Sequence, residues 1–233
     1  MRKIILASTS TLFGEAYLAY LKETIADLFQ QAKEIVFIPY ARPGGISHDA
    51  YTQNVVQFFD GLHIGVRGLH EFSNPAQALQ QAEGVFTGGG NTFLLVKLLH
   101  ELKLMTVLKE VVGAGTPYLG TSAGSNIGGV NMQTTNDMPI VYPPSFETTG
   151  LVPFNINAHY LDPNPDLKHN GETRETRIRE FHVFNDIPVV GLREGSWIAV
   201  NGDVISMEGS RPSRIFKPNQ EPVEIEAGSL LNF

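Results

Sequence analysis

The stretch PYLGTSAGSNIGG, residues 117–129, predicts a buried strand that turns sharply into a helix. Its centre, GTSAG, fits the pattern G-x-S-x-G, in which a serine stands on a tight strand-to-helix turn with its hydroxyl exposed. Glycine on both sides suits such a turn, because larger side chains there would collide. The alternatives are a glycine-rich phosphate-binding turn and an ordinary strand-to-helix connection. Ser122 is therefore a candidate nucleophile.

The chain around this turn alternates short apolar runs with longer segments of helical period. Such alternation is typical of parallel strands joined by crossover helices, and it predicts an α/β fold with a doubly wound, mostly parallel sheet. The predicted strands are residues 3–7, 34–39, 63–68, 85–87 and 117–120. The predicted helices run from Ser10 or Thr11 to about residue 29, over 48–62 and 75–82, and from 92 to 112 in two stretches.

The last third of the chain has a different character. Residues 143–175 are rich in proline, asparagine and charge, and this passage is too long for a simple connection in a compact domain. Strands are predicted after it at 189–193, in a hairpin over 197–207 with a type I′ turn at Asn201-Gly202, and at 214–217 and 223–227. We expect these C-terminal strands to be antiparallel and to extend one edge of the sheet. The length fits one domain over residues 1–233.

Composition narrows the classes of partner. The formal net charge is −7, from 17 Lys+Arg and 24 Asp+Glu, which gives no basic surface for nucleic acid or an anionic membrane. The chain has no cysteine, which excludes disulfides, thiolate metal sites and a cysteine nucleophile. The apolar run after MRK is too short for a signal peptide, and charged residues interrupt the apolar window 93–108. We therefore expect a cytoplasmic protein that binds small molecules or peptides.

A serine nucleophile needs a base, and the base needs an orienting acceptor. Among seven histidines, His159 ends a short extended segment at the start of the long loop, from which it can reach the carboxyl edge of a sheet. A loop histidine with one backbone hydrogen bond is an equal alternative. Glu194 ends a predicted strand before a glycine, where an exposed acid paired with Arg193 is the alternative. The order Ser122, His159, Glu194 disfavours an ordinary α/β-hydrolase, whose histidine comes last.

Backbone N–H groups near Ser122 are candidates for stabilising an oxyanion. Ala123 follows the serine, and its N–H is the usual first donor at such a turn. Gly89 and Gly90 end the preceding predicted strand, where the backbone can approach without a Cβ clash. A dinucleotide-binding turn is the weaker interpretation, because Phe93 stands where its third glycine is needed.

Eight segments along nearly the whole chain resemble the peptidase E family, aspartyl dipeptidases of the serine peptidase family that also contains cyanophycinases. They are STSTLFG, VFIPYA, GGGNTF, GTSAGSN, TTNDMPI, NINAHY, GETRETRIRE and GLREGSW. The resemblance implies a fold like class I glutamine amidotransferase domains and a triad of Ser122, His159 and Glu194. It also implies hydrolysis of dipeptides with an N-terminal aspartate, Asp-Xaa, without a metal or cofactor.

Selectivity for an N-terminal aspartate requires a cation for its carboxylate and an acceptor for its ammonium group. Arg174 lies in the family-like GETR segment, and a guanidinium can bind a carboxylate through two hydrogen bonds. Glu172, Asp137 and Asn91 are candidates for the ammonium and peptide groups. The alternative for residues 174–180 is a solvated helix with Glu/Arg pairs.

Two other functions stay open at this stage. One is a cyanophycinase-like hydrolase of β-aspartyl-arginine bonds, and the other is a catalytically silent binding module on the same scaffold. The chain departs from the family pattern at Ala158, where the family has proline, and at Ser125, where alanine is common. The sequence leaves the oligomeric state open, and a homodimer is among the assemblies we consider.

Overall fold

The computed structural model describes residues 1–163 and 171–233. A large sheet contains seven strands: β1 (Lys3–Ala7), β2 (Glu34–Ile38), β3 (Gly65–Gly68), β4 (Val85–Thr87), β5 (Tyr118–Thr121), β8 (Ser196–Asn201) and β9 (Val204–Gly209). Their spatial order is β3-β2-β4-β5-β1-β8-β9. The first five strands are parallel, β8 is antiparallel to β1, and β9 is antiparallel to β8. The α/β fold with a mostly parallel sheet is confirmed.

Helices cover both faces of this sheet. They are α1 (Lys22–Leu28), α2 (His48–Asp60), α3 (Pro75–Gln80), α4 (Thr92–Glu101), α5 (Leu104–Ala114) and the short α6 (Ala123–Asn126). The last helix, α7 (Arg174–Phe181), packs instead through Ile178 against Val189 and Phe216 of a smaller sheet. Side chains of β1 alternate between two cores: Ile4 and Leu6 pack with α4 and α5, whereas Ile5 and Ala7 pack with α1 and α2. A central strand buried on both faces needs a continuous apolar run, which explains the sequence KIILA.

A second, smaller sheet contains β6 (Asn155–Ala158), β7 (Val189–Leu192), β10 (Ser213–Phe216) and β11 (Val223–Ile225), in the order β11-β10-β7-β6. β6 and β7 are parallel, and the other two pairs are antiparallel. Ile156 and Val190 of this sheet belong to the same hydrophobic core as Leu6 of the large sheet. The two sheets therefore share one core, and the carboxyl ends of β6 and β7 are fixed relative to the large sheet.

Three predictions about elements were wrong in detail. No helix starts at Ser10 or Thr11, because the chain turns through positive φ at Gly14 and Leu18 before α1 begins at Lys22. Only β8 and β9 extend the large sheet, since β7 pairs with β6 and β10 instead. The β8–β9 turn is not type I′, which needs positive φ at both central residues. Gly202 has φ 63°, but Asp203 is not among the residues with positive φ.

Membrane-spanning capacity can be judged from the helices of the described ranges. Within residues 1–163 and 171–233, none is both long enough and apolar enough to cross a bilayer.

Candidate active site

Ser122 stands between β5 and α6 with the strained backbone angles φ 54° and ψ −112°. A Cβ added at Gly120 would overlap the carbonyl oxygen of Gly124, and one added at Gly124 would overlap that of Thr87. Both glycines are therefore required by close backbone contacts, which is the condition for the sharp turn. The Ser122 N–H donates to Ala7 O at 3.1 Å, so the turn is also fixed against the end of β1.

Three side chains form one hydrogen-bonded line at this turn. His159 Nε2 is 2.9 Å from Ser122 Oγ, and His159 Nδ1 is 2.6 Å from Glu194 Oε1. A carboxylate only accepts hydrogen bonds, so this network assigns the ring proton to Nδ1 and leaves Nε2 to accept from the serine hydroxyl. The His159 and Glu194 side chains are 39% and 43% exposed, so the line borders solvent. The structure thus brings together all three residues of the predicted triad.

Glu194 lies in the turn that leads from β7 of the small sheet to β8 of the large sheet. The alternative interpretation paired it with Arg193, but that guanidinium binds Asp162 and Glu224 instead, at distances of 2.7–2.9 Å. Because both guanidinium edges are occupied, Glu194 is left to the imidazole of His159.

Ser8 is a site residue that sequence reasoning missed. Its fully buried hydroxyl accepts from the N–H of His159 at 2.9 Å and donates to the carbonyl of Leu192 at 2.7 Å. Ser8 follows β1, next to the strand that carries the nucleophile. One hydroxyl therefore connects the large sheet to the segments that carry His159 and Glu194. The one feature of the sequence that could have indicated Ser8 is its position just after a buried parallel strand, because functional residues of α/β folds lie at the carboxyl ends of the strands.

At each residue of the triple glycine, 88–90, an added Cβ would approach a different neighbour. A Cβ at Gly88 would overlap the Tyr51 hydroxyl, and one at Gly90, where φ is 147°, would overlap the carbonyl oxygen of Ala41. A Cβ at Gly89 would lie 3.0 Å from the Cβ of Ser122. Among the residues that the structure describes, the N–H groups of Gly89, Gly90 and Ala123 donate to no acceptor. They are therefore available to a ligand beside Ser122.

Asn91 and Asp137 both cap the start of α4. Asn91 Oδ1 accepts from Leu94 N–H at 3.1 Å, and its Nδ2 donates to Met138 O at 2.9 Å. Asp137 Oδ2 accepts from Thr92 N–H at 2.7 Å, while Oδ1 has no hydrogen bond within the described residues. The Asn91 amide is thus largely occupied by helix capping, and Asp137 keeps one free carboxylate oxygen.

Arg174 is the first residue of α7, and together with Glu172 it lines a surface cavity of about 280 Å³. Glu172 is 55% exposed and lies 3.8 Å from Arg177. Burial lowers the pKa of the Arg174 guanidinium, Arg177 lowers it further, and the charge of Asp137 opposes both effects. Arg174 and Asp137 are therefore within electrostatic range of each other. The neighbouring residues 164–170, part of the predicted long loop, lie outside the described residues.

A strained serine turn with a hydroxyl, an imidazole and a carboxylate in one line, on an α/β sheet, is the arrangement of serine-type hydrolases. The sequence model of peptidase family S51 matches residues 4–207. The chain belongs to peptidase family S51 and is a serine-type peptidase.

Relatives are similar over nearly the full length. A protein named "Peptidase E" from Streptomyces coelicolor is 46% identical over 98% of this chain and 93% of its own length. A protein named "Probable alpha-aspartyl dipeptidase" from Drosophila melanogaster is 43% identical over 100% and 97%. The crystal structure of a peptidase from an acI-B1 Actinobacterium has a TM-score of 0.74 at 18% identity, over 100% of this chain and 97% of that one. That structural likeness supports the fold alone.

Proposed function

We propose that this protein is a dipeptidase that hydrolyses Asp-Xaa dipeptides through an acyl-enzyme on Ser122. The observation that carries the proposal is the line from Ser122 Oγ through His159 to Glu194, with contacts of 2.9 and 2.6 Å. The name of the relative from Drosophila melanogaster, "Probable alpha-aspartyl dipeptidase", supports the dipeptide substrate and the aspartyl preference.

The reaction follows from the geometry of this line. Ser122 Oγ attacks the carbonyl carbon of the substrate's first residue while His159 Nε2 takes the hydroxyl proton. Glu194 holds the Nδ1–H and stabilises the imidazolium. The C–N bond then breaks, and His159 gives its proton to the leaving amine. In the second half, water attacks the acyl carbon while His159 takes its proton. The bond between this carbon and Ser122 Oγ then breaks, His159 returns the proton to Oγ, and free aspartate leaves.

The negative charge that develops on the carbonyl oxygen needs donors on the other side of the carbon. The N–H of Ala123 and one N–H of the Gly89-Gly90 segment suit this role, because neither has an acceptor among the described residues and both lie beside Ser122. Donors fixed before the reaction stabilise the transition state without reorganising.

Recognition of the N-terminal aspartate requires two opposite charges close together, because its ammonium and its carboxylate are separated by only two carbon atoms. Arg174, which has no hydrogen bond or ion pair within the described residues, and Asp137, whose Oδ1 is free there, are the candidates for these two charges. We assign Arg174 to the carboxylate and Asp137 to the ammonium. Glu172 is a weaker candidate for the ammonium than Asp137, because Arg177 already lies beside its carboxylate. Asn91 contributes indirectly, since its side chain caps α4.

The variant Ser122→Ala tests this function. It should fold normally and lose Asp-Leu hydrolysis by roughly 10⁴- to 10⁶-fold in kcat. Ser213→Ala is the control for the same substitution, because Ser213 is fully buried in the small sheet and its hydroxyl has no partner in the described part of the chain. Turnover of Ser122→Ala near the wild-type value would refute the assignment.

Two further readouts separate the other functions. A fluorophosphonate probe should label Ser122 in the wild-type protein, whereas a silent binding module would stay unlabelled. A β-aspartyl-arginine dipeptide assayed beside Asp-Leu should be the poorer substrate. The reverse preference would assign the protein to the cyanophycinase-like activity instead.

A further inference from the structure

A buried tyrosine hydroxyl holds the peptide that joins Gly89 and Gly90. Tyr51 lies on α2, is 3% exposed, and donates to the carbonyl oxygen of Gly89 at 3.2 Å. The ring of Phe37 packs edge-on against the Tyr51 ring, with centroids 5.0 Å apart and an interplanar angle of 89°. Tyr51 therefore approaches the glycine segment from a fixed position.

Tyr51 and Ser122 lie on different sides of this segment. The side-chain direction of Gly88 points at the Tyr51 hydroxyl, whereas that of Gly89 points at Ser122, 3.0 Å from its Cβ and 3.6 Å from its Oγ. The tyrosine thus supports the segment from behind, as seen from the nucleophile.

The orientation of the Gly90 N–H follows from the planarity of the peptide. In a trans peptide the C=O and the next N–H point in opposite directions. Because the Gly89 carbonyl points to Tyr51, the Gly90 N–H points to the side of Ser122. That N–H donates to no acceptor within the described residues, although its surroundings are largely buried. A ligand atom beside Ser122 would satisfy it.

We propose that Tyr51 is a positioning residue that locks the Gly89–Gly90 peptide, so that the Gly90 N–H donates to the oxyanion formed at Ser122. The inference rests on the proposed function. A peptide between two glycines rotates easily, because neither residue has a side chain that restricts its backbone angles. Burial raises the pKa of Tyr51, so its hydroxyl keeps the donated proton throughout the neutral range.

The test is the variant Tyr51→Phe, which keeps the packed ring and removes only the hydroxyl. The kcat for Asp-Leu should fall about 10-fold, a fraction of the 10²- to 10³-fold loss for an oxyanion donor that is removed outright. The KM should change less than about 2-fold, because the carbonyl of the bound substrate carries little charge. The affinity for the boronic acid analogue of aspartate, whose serine adduct is tetrahedral and anionic, should fall by the same factor as kcat.

Thr52→Val is the matched control. Thr52 follows Tyr51 on the same helix, is 2% exposed, and its hydroxyl donates to the carbonyl of His48 at 2.8 Å, away from the glycines. Removal of the Thr52 hydroxyl should leave kcat and boronate affinity at their wild-type values. Tyr51→Phe with wild-type kcat and wild-type boronate affinity would overturn the inference, as would equal losses in both variants.

A second measurement needs no variant. In wild-type protein labelled with ¹⁵N-glycine, the boronate should move the amide proton signal of Gly90 downfield, whereas an unmoved signal would exclude Gly90 as the donor. The two failures can be told apart, because the proposed function fails if the wild-type protein does not hydrolyse Asp-Leu or if Ser122→Ala retains activity, whereas the Tyr51 inference can fail while both of those results hold.

Discussion

Arg174 differs from the other arginines of α7 in having no hydrogen bond or ion pair within the described residues. Arg177 lies beside Glu172, and Arg179 binds Glu175 and Glu221. Burial removes water from the Arg174 guanidinium and disfavours its charged form, which lowers its pKa, and hydrogen bonds from a ligand carboxylate would compensate for the lost water. This lack of partners supports the proposal that Arg174 donates hydrogen bonds to the substrate carboxylate.

The variant Arg174→Ala should lower kcat/KM for Asp-Leu by roughly 100-fold, because charge-assisted hydrogen bonds to the side-chain carboxylate are lost. The value for Asn-Leu should change much less, so that discrimination between the two dipeptides disappears. Arg179→Ala is the control, since its exposed ion pairs contribute little. Equal losses on Asp-Leu and Asn-Leu would contradict a charge-reading role.

At the level of elements, the site is assembled from the carboxyl ends of parallel strands. Ser122 follows β5, Gly89 and Gly90 follow β4, and Ser8 follows β1 in the large sheet. His159 follows β6 of the small sheet. Ser8 connects the residues of the large sheet to those of the small sheet through its hydrogen bonds with His159 N–H and Leu192 O. Because it contacts only the backbone of His159, it affects the imidazole through the position of that backbone.

The variant Ser8→Ala should therefore lower kcat by roughly 10- to 100-fold while the KM for Asp-Leu stays near its wild-type value, because a small displacement of the base costs rate rather than affinity. The rate of labelling by a fluorophosphonate should fall by the same factor. Ser213→Ala again provides a buried serine control. A fall in melting temperature with an unchanged kcat would show that Ser8 is only structural.

Most of the parallel strands could be predicted because they are short apolar runs between helical segments, and the serine turn because its glycines stand at fixed spacing. The strands β7, β10 and β11 were predicted too, but their pairing with β6 in a separate sheet was not, since β6 reads NINA and carries two asparagines. Asn155 and Asn157 are buried because their amides bind Asn131 Oδ1 and Thr134 O, both at 2.7 Å. Polar residues in a buried strand give no apolar pattern in the sequence when their hydrogen-bond partners lie far away along the chain.

Some residues of the candidate site could be predicted from the sequence, and others could not. Ser122 has a local pattern, and His159 and Glu194 follow extended segments, so sequence reasoning could select them, although only the resemblance joined them into a triad. Ser8 and Tyr51 act through hydrogen bonds between residues 151 and 38 positions apart. Contacts between residues so far apart in sequence form only in the folded protein, so no pattern in a single sequence predicts them.

Across the whole molecule, an ionic network holds the small sheet to the loop after His159. Arg193 binds Asp162 and Glu224, and Arg214 binds Glu224 and Glu175 of α7. The hydrogen bonds from Arg193 hold the pKa of Glu224 below its usual range, with a further contribution from Arg214. A carboxyl group with a lowered pKa stabilises the fold fully above its unfolded pKa and loses that effect as the pH falls through its folded value.

The variant Glu224→Gln should lower the melting temperature at pH 7 by about 1–2 °C, a small value because Glu224 is 40% exposed. The difference from wild type should shrink as the pH falls below about 4, because the wild-type carboxylate then becomes protonated. Glu226→Gln is the control, since Glu226 has no ion pair in the described part of the chain. A difference that is constant from pH 7 to about pH 3 would contradict an ionic origin.

The division of the three reacting groups between two sheets has a consequence for the newly made polypeptide. The hydroxyl of Ser122 emerges from the ribosome well before His159, and Glu194 emerges later still. Under the proposed mechanism, the nascent chain therefore carries the nucleophile before its base has been synthesised. A translation product that stops before residue 159 lacks that base and should not hydrolyse dipeptides.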